Sequence, residues 1–322
     1  MTVFRTLLLS IVFMVPMTAL AQAWPAKPVR IVVAYPPGGG IDVMGRQIAE
    51  RLGAAWGQPA IVENRPGANT IVATDLVAKS AADGYTVLMT TDATFSINPH
   101  LYAKLPFDPQ RDFVPVTMLV LLQQMLVAHP ALPANTLEDL VKLAKSRPGS
   151  INYASYGSGS QPHLAGEMLK NKAGIDLVHV PYKGISLAVP AVMAGEVQLT
   201  FAGIATSTAP LKAGRIKALA IGGQARSPLF PQVPTFAELG YPEVETHAWF
   251  GLFLPAGSPR EAVTRIYQGT RAILEDPEFR QKQLIDRGYE VVGSPPDAFA
   301  AYIRKDSESR ARAVRISGAK AE

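Results

Sequence analysis

Short β-branched segments alternate with helix-forming segments along this chain, and a loop containing glycine, serine or proline follows each strand. In the first unit a strand covers 29–34, a loop 35–40 and a helix 41–56. A second unit has a strand at 152–155 and a helix that starts at Pro162. Strands that alternate with helices form sheets from parallel βαβ units. The pattern predicts an α/β fold with mostly parallel sheets.

The first 23 residues have the layout of a secretory signal peptide. Arg5 and the amino terminus supply positive charge, an apolar run follows at 7–15, and Ala21-Gln22-Ala23 forms a small-x-small cleavage site. Pro16 interrupts the apolar run before it reaches the ~20 residues that a membrane-spanning helix needs. We therefore expect export of the protein and cleavage after Ala23.

The mature chain would hold 299 residues (322 − 23), which exceeds the usual size of one hydrophobic core. Two apolar segments, 113–127 and 247–254, are each long enough to leave one sheet and enter another. We interpret them as crossovers between two domains. Domain I is then discontinuous and comprises 24–122 plus 250–322, and domain II comprises 123–249.

Composition excludes several kinds of site. The chain has no cysteine, so disulfides, thiolate metal sites and cysteine nucleophiles are impossible. The mature formal charge would be +4 (30 basic minus 26 acidic residues), without runs of like charge, so no nucleic-acid partner is expected. We also expect no metal and no cofactor.

The loop after the first strand is a candidate anion site. Its residues Pro37, Gly38, Gly39 and Gly40 allow another group to approach the backbone, and the helix that follows directs free N–H groups at the loop. Asp42 in the first helical turn is a candidate to orient the loop or to bind ordered water, and equally a helix cap. The alternative for the glycines is a tight turn. The third glycine of a dinucleotide fingerprint is replaced by Val43.

A second candidate loop precedes the helix that starts at Pro162. It offers hydroxyl groups and backbone amides, with a flexible linker as the alternative. Its candidate ligand contacts are Ser155, Tyr156, Ser158, Gly159 and Ser160.

One such loop in each domain suggests two halves of a carboxylate cradle that meet when the domains close. Charge-assisted hydrogen bonds contribute roughly 1.5–3 kcal/mol each, and micromolar affinity needs only about 8 kcal/mol. Two further loops follow strands and add Thr94, Phe95, Gly203 and Thr206 as candidate contacts. For each of these four a purely structural role is at least as strong an interpretation as a ligand contact.

The sequence lacks the motifs of common hydrolases. Gly157-Ser158-Gly159 does not have the G-x-S-x-G spacing of a serine hydrolase. The histidines do not form the H-E-x-x-H pattern of a zinc hydrolase. We therefore interpret the chain as a binding protein and not as an enzyme. A periplasmic hydrolase and a ligand-sensing subunit of a membrane kinase stay open as alternatives.

An ordered series of motifs resembles the Bug family of periplasmic receptors, which serve tripartite tricarboxylate transporters. The resemblance extends over nearly the whole mature chain. The matching segments are 24–30, 36–42, 62–68, 83–85, 98–99, 105–108, 155–160, 163–167, 179–184, 233–235, Trp249 and 255–259.

This resemblance implies a two-domain, type II-like periplasmic-binding-protein fold with two interdomain crossovers. It implies a monomeric receptor that holds a small carboxylate by backbone amides and delivers it to a large and a small transmembrane subunit. The chain departs from the family pattern at Asn69-Thr70-Ile71, where relatives carry more glycine, and at Tyr156, where smaller residues are common. Both departures concern the identity of the ligand.

Overall fold

The computed structural model describes residues 24–223, 225–244 and 246–318. The predicted signal peptide at 1–23 and its cleavage site after Ala23 lie outside the described residues. Within the described ranges, every helix is too short or too polar to cross a bilayer.

Eleven strands in the described part of the chain form two sheets. Six belong to the first sheet, in the order β11-β4-β10-β3-β1-β2, and five to the second, in the order β7-β6-β8-β5-β9. We call the halves of the molecule built on these sheets lobe I and lobe II. The strands are β1 (Val29–Val33), β2 (Ala60–Asn64), β3 (Thr86–Thr91), β4 (Phe113–Leu122), β5 (Gln124–Ala128), β6 (Asn152–Ser155), β7 (Val178–Pro181), β8 (Leu199–Gly203), β9 (Lys217–Ile221), β10 (Ala248–Pro255) and β11 (Tyr289–Val291).

Helices cover both faces of each sheet. The β11 side of lobe I also carries short π-helical and 3₁₀ turns at Arg280–Leu284 and Ile285–Arg287. The helices are α1 (Gly40–Trp56), α2 (Ile71–Ala78), α3 (Asn98–Leu101), α4 (Leu137–Ser146), α5 (Gln161–Ala173), α6 (Ile185–Ala194), α7 (Ile204–Lys212), α8 (Arg260–Glu275), α9 (Pro277–Phe279) and α10 (Pro296–Ser317).

The two-lobed α/β fold is confirmed, but the sheets are mixed and not mostly parallel. β1 pairs in parallel with β2 and β3, and β6 pairs in parallel with β7 and β8. The pairs of β10 with β3 and β4, of β11 with β4, and of β5 with β8 and β9 are antiparallel. The reason is that β4, β5 and β10 lie beside the passages between lobes, where the chain arrives without a βαβ crossover.

The first apolar segment passes between the lobes as expected. β4 ends in the lobe I sheet at Leu122, and β5 begins in the lobe II sheet at Gln124, so a single residue separates them. The second apolar segment stays within one sheet, because β10 pairs with β3 and β4 and with no other strand of the described residues. The return to lobe I instead uses the irregular chain before β10, where the Thr246 hydroxyl donates to the Gln124 carbonyl at 2.8 Å.

A buried charged cluster, formed by Asp92, Asp306 and Arg310, connects the carboxyl-terminal helix to the return passage. Arg310 on α10 lies 3.6 Å from Asp92 and 3.4 Å from Asp306, and it donates to the His247 carbonyl at 2.7 Å. The Trp249 indole N–H donates to Asp306 at 2.8 Å. Because buried charges are costly unless paired, this cluster fixes α10 against the start of β10.

Candidate ligand-binding site

A cleft between the lobes contains two adjoining chambers. The inner chamber is lined by Tyr35, Pro36, Gly39, Gly40, Ile41, Thr91, Leu122, Gln124, Tyr156, Gly184, Ile185, Ser186, Gly203, Ala205, Thr206, Ala248, Phe250 and Tyr289. The outer chamber is lined by Gly38, Gly40, Val43, Met44, Gln47, Ile185, Ser186, Val189, Pro190, Met193, Ala205, Thr206, Pro210, Gln283, Arg287 and Tyr289. Both lobes contribute to both chambers.

Three helices begin at the boundary between the chambers. They are α1 from lobe I and α6 and α7 from lobe II, and each follows the carboxyl end of a strand. Their cap residues are Gly39, Gly184 and Gly203, so no side chain caps any of the three. The first N–H groups of a helix have no partner within the helix and carry partial positive charge. The cleft therefore presents three uncapped helix ends, an arrangement suited to an anion.

Asp42 is buried, forms hydrogen bonds that hold the loop before α1, and does not line either chamber. Its carboxylate accepts from the Gly38 N–H at 2.9 Å, from Asn64 at 2.8 Å and from the Arg46 guanidinium at 3.2 Å. Burial by itself raises the pKa of Asp42, but these hydrogen bonds and the Arg46 charge hold it below its usual value. The observed hydrogen bonds thus orient the loop, one of the three roles considered for this residue.

The lobes meet at aromatic and aliphatic contacts along the inner chamber. The rings of Tyr35 and Tyr156 pack edge to face with centroids 6.0 Å apart and an interplanar angle of 87°. A β-carbon built at Gly39 would lie 3.5 Å from the Ile185 side chain of the other lobe. Tyr289 closes the lobe I side, and burial raises its pKa to about 12, so its hydroxyl stays protonated.

The loop at 155–160, predicted as the domain II half of the cradle, contributes only Tyr156 to the lining of the two chambers. That loop bonds to itself: the Gly157 N–H donates to Ser155, the Ser160 N–H and hydroxyl donate to the Gly157 carbonyl, and the Gly159 N–H donates to His163. These four donors are therefore occupied. Lobe II also offers the starts of α6 and α7 to the chambers.

Eight of the fourteen predicted contacts lie outside both chambers. Thr94 is buried and bonds to Thr70 and Thr90, and the Phe95 ring stacks on Phe253 at 4.0 Å inside the lobe I core. A β-carbon at Gly159 would collide with Leu101 of lobe I, so this glycine permits close contact between the lobes. The residues outside are Pro37, Asp42, Thr94, Phe95, Ser155, Ser158, Gly159 and Ser160, and those inside are Gly38, Gly39, Gly40, Tyr156, Gly203 and Thr206.

Several lining residues were not predicted from the sequence. Ile185 and Ser186 had a readable signal, because Gly184-Ile185 follows a strand just as Gly40-Ile41 and Gly203-Ile204 do. Thr91, Gln124, Phe250 and Tyr289 had none, since they reach the cleft from distant parts of the chain. Arg287 contributes a cation to the outer chamber.

Ala68, Asn69 and Thr70, at the point where the sequence is expected to depart from its relatives, have positive φ angles. Left-handed backbone favours glycine, and here asparagine and threonine adopt it. The Asn69 amide donates to Asn98 at 2.7 Å, and the Asn98 amide donates to the Asn69 carbonyl at 2.7 Å. These bonds hold the loop in the conformation that glycine would adopt more easily.

A pair of stacked histidines supports the 155–160 loop, and it predicts acid sensitivity. The rings of His163 and His179 lie 3.9 Å apart, and His179 bonds to the Ser155 hydroxyl at 2.7 Å. Burial, the neighbouring imidazole and Lys170 lower the pKa of His179 to about 3. The folded state therefore holds His179 neutral, while the unfolded chain takes up a proton below about pH 6.5.

We expect the free energy of unfolding to decrease as the pH falls from about 6.5 toward 3, by ~1–2 kcal/mol from this residue. His179→Gln should flatten that part of the profile, measured by urea titration at several pH values. His129→Gln, outside the stacked pair, is the matched control. Equal slopes for the wild type and His179→Gln would contradict this account.

The described residues contain no group of three or more His, Cys, Asp or Glu side chains arranged to hold a metal ion. Ligands of open α/β sheets bind at the carboxyl ends of the strands, and the cleft lies at that position in both lobes. Two α/β lobes, joined by passing strands and separated by a cleft with uncapped helix ends, define the class of two-lobed solute-binding proteins.

Comparison with known proteins gives the family. The model of the tripartite tricarboxylate transporter family receptor (TctC) matches residues 44–318, and the chain belongs to this family. The resemblance to the Bug receptors is confirmed by protein BugT of Bordetella pertussis, which is 35% identical over 301 residues that cover 93% of this chain and 92% of BugT.

Two solved structures have the same fold. One, described as a periplasmic transporter, has a TM-score of 0.89 and 33% identity, and the match covers 93% of this chain and 100% of that one. The other is Rpa4515 of R. palustris with adipate, with a TM-score of 0.88 and 32% identity over 92% of this chain and 99% of that one.

Proposed function

We propose that this protein is a periplasmic receptor that holds a small carboxylate between its lobes and delivers it to the large and small transmembrane subunits of a tripartite tricarboxylate transporter. The observation that carries the proposal is the convergence of three glycine-capped helix ends on one cleft. Backbone N–H groups from both lobes would then share the carboxylate oxygens, which together accept about four hydrogen bonds.

The contribution of both lobes supports a closing mechanism. α1 belongs to one lobe and α6 and α7 to the other, so the full set of donors exists only when the lobes are together. A ligand that bonds to both lobes stabilises the closed arrangement by its differential affinity. We propose that the protein binds its ligand without chemical conversion, in keeping with a family of receptors.

We propose that lobe I comprises 24–122 plus 250–322 and lobe II comprises 123–249. The passage from β4 to β5 at Gln123 supports the first boundary. β10 begins at Ala248, two residues before the second boundary, which supports a return close to that position. The exported, processed form of the chain would start at Trp24.

The test uses the mature protein and a panel of small carboxylic acids, including adipate. We expect at least one acid to raise the melting temperature, because ligand binds only the folded state. Small-angle scattering at saturation should show a monomer that becomes more compact, as domain closure requires. Uncharged amides of the same acids are the matched control and should have no effect. A panel in which no acid changes either measurement would contradict the proposal.

A further inference from the structure

The lining of the inner chamber is uncharged. All of its lining residues lie in the described part of the chain, and none of them is Lys, Arg, His, Asp or Glu. Its walls are mainly apolar, with Ile41 and Phe250 from lobe I and Leu122, Ile185 and Ala205 around them. Such walls favour a ligand with an apolar body, because burial of its apolar surface is favourable.

One region of the chamber, formed by Tyr35, Thr91, Gln124 and Tyr156, is polar but uncharged. The Gln124 amide donates to the Tyr156 hydroxyl at 3.0 Å, and Tyr35 bonds to Thr91 at 3.0 Å. Gln124 is only 2% exposed, and its Oε1 has no hydrogen-bond partner among the described residues. A buried polar atom without a partner costs free energy, so a ligand group that completes this bonding would be favoured.

A buried ionisable cluster lies behind this polar region. Asp92 follows Thr91 directly and is fully buried, near Asp306 and Arg310. Burial raises the pKa of Asp92 to about 7, so the cluster offers little positive charge to a ligand at neutral pH. Burial is also the main reason that the pKa values of Tyr35 and Tyr156 are raised, so both hydroxyls stay protonated. A second ligand carboxylate placed here would lose its hydration, and because it has no hydrogen to donate it would leave Gln124 Oε1 without a partner.

We propose that the ligand is a monocarboxylate with an apolar or aromatic body and an uncharged hydroxyl at its far end, which bonds to Gln124 and Tyr156. This inference rests on the proposed function, because it takes the carboxylate to lie at the starts of α1, α6 and α7. It separates this receptor from Rpa4515, whose structure contains adipate, an acid with two carboxyl groups.

The experiment measures affinity by calorimetry for acids that differ at one end only. The aromatic series is benzoate, 4-hydroxybenzoate and terephthalate, and the aliphatic pair is 6-hydroxyhexanoate and adipate. In at least one series we expect the hydroxy acid to bind best. Its affinity should exceed that of the diacid by about 100-fold or more, and 4-hydroxybenzoate should exceed benzoate by about tenfold.

Two variants test the named contacts. In Gln124→Leu the advantage of 4-hydroxybenzoate over benzoate should fall to about onefold, while benzoate itself still binds. Tyr156→Phe, which keeps the ring, should reduce the same advantage. Gln110→Leu changes the same residue type at an exposed position outside both chambers and should leave the ratio as in the wild type.

The outcomes distinguish a failure of the hydroxy-acid inference from a failure of the proposed receptor function. If the diacid binds as tightly as its hydroxy counterpart in every series that binds, the inference is overturned and the carboxylate receptor stands. A hydroxyl advantage that survives in both Gln124→Leu and Tyr156→Phe overturns the assigned contacts. Failure of every acid in both series to bind folded protein contradicts the proposed function, and the inference with it.

Discussion

Replacing Gly39 by leucine is expected to abolish carboxylate binding while the protein still folds. Gly39 has φ −76° and ψ 162°, which any residue adopts, so the variant carries no backbone strain. Its β-carbon would lie 3.5 Å from Ile185 across the cleft, and the three further carbons of leucine would occupy the space where α1 and α6 meet. We expect affinity to fall by about 100-fold or more, equivalent to at least ~2.7 kcal/mol.

Gly39→Ala is the matched control, because a methyl group at 3.5 Å from Ile185 is an ordinary contact. It should retain most of the affinity. Calorimetry gives the binding constants, and circular dichroism with urea denaturation shows whether each variant is folded. Wild-type affinity in folded Gly39→Leu would refute the placement of the carboxylate at the start of α1.

Replacing Arg310 by methionine is expected to destabilise the fold strongly at alkaline pH. Arg310 is 1% exposed and is the guanidinium shared by Asp92 and Asp306. Its removal leaves two buried carboxylates without their cation, and breaking a buried ion pair in this way typically costs about 3–5 kcal/mol. Urea denaturation at pH 8 measures the loss.

The loss should be smaller at pH 5, because Asp92 can then take up a proton. Burial raises the pKa of Asp92 from 3.8 to about 7, so the folded state binds more protons than the unfolded state between these values. This group therefore lowers stability as the pH rises through that window.

The variant Asp92→Asn tests the predicted direction of this pH dependence of stability. It should be more stable than the wild type at pH 8, and the difference should disappear toward pH 4. Asp306→Asn is expected to behave oppositely: burial alone would raise the pKa of Asp306, but Arg310 and hydrogen bonds hold it below its usual range. A loss of less than about 1 kcal/mol in Arg310→Met would show that the cluster does not stabilise the fold.

Sequence reasoning predicted the local elements well and the contacts of the site less well. α1 and α5 begin within one residue of their predicted starts, because loop glycines and Pro162 act on neighbouring backbone. The 155–160 loop has the composition of a ligand loop, yet several of its donors bond within the loop or to His163 of the following helix. Composition does not reveal this, because which partner a donor selects depends on the folded geometry.

Local backbone chemistry therefore settled the strand, loop and helix order, the two-lobed α/β class and the presence of uncapped helix ends, since these depend on residues a few positions apart. Only the tertiary structure decided which helix ends share a cleft, and that the start of α6 lies beside the start of α1 there. It also decided the antiparallel pairings of β10 and the burial of Asp92 beside Arg310, residues more than two hundred positions apart. Those features depend on long-range packing, where the free energy comes from burial and pairing across the whole chain and not from the preference of any segment.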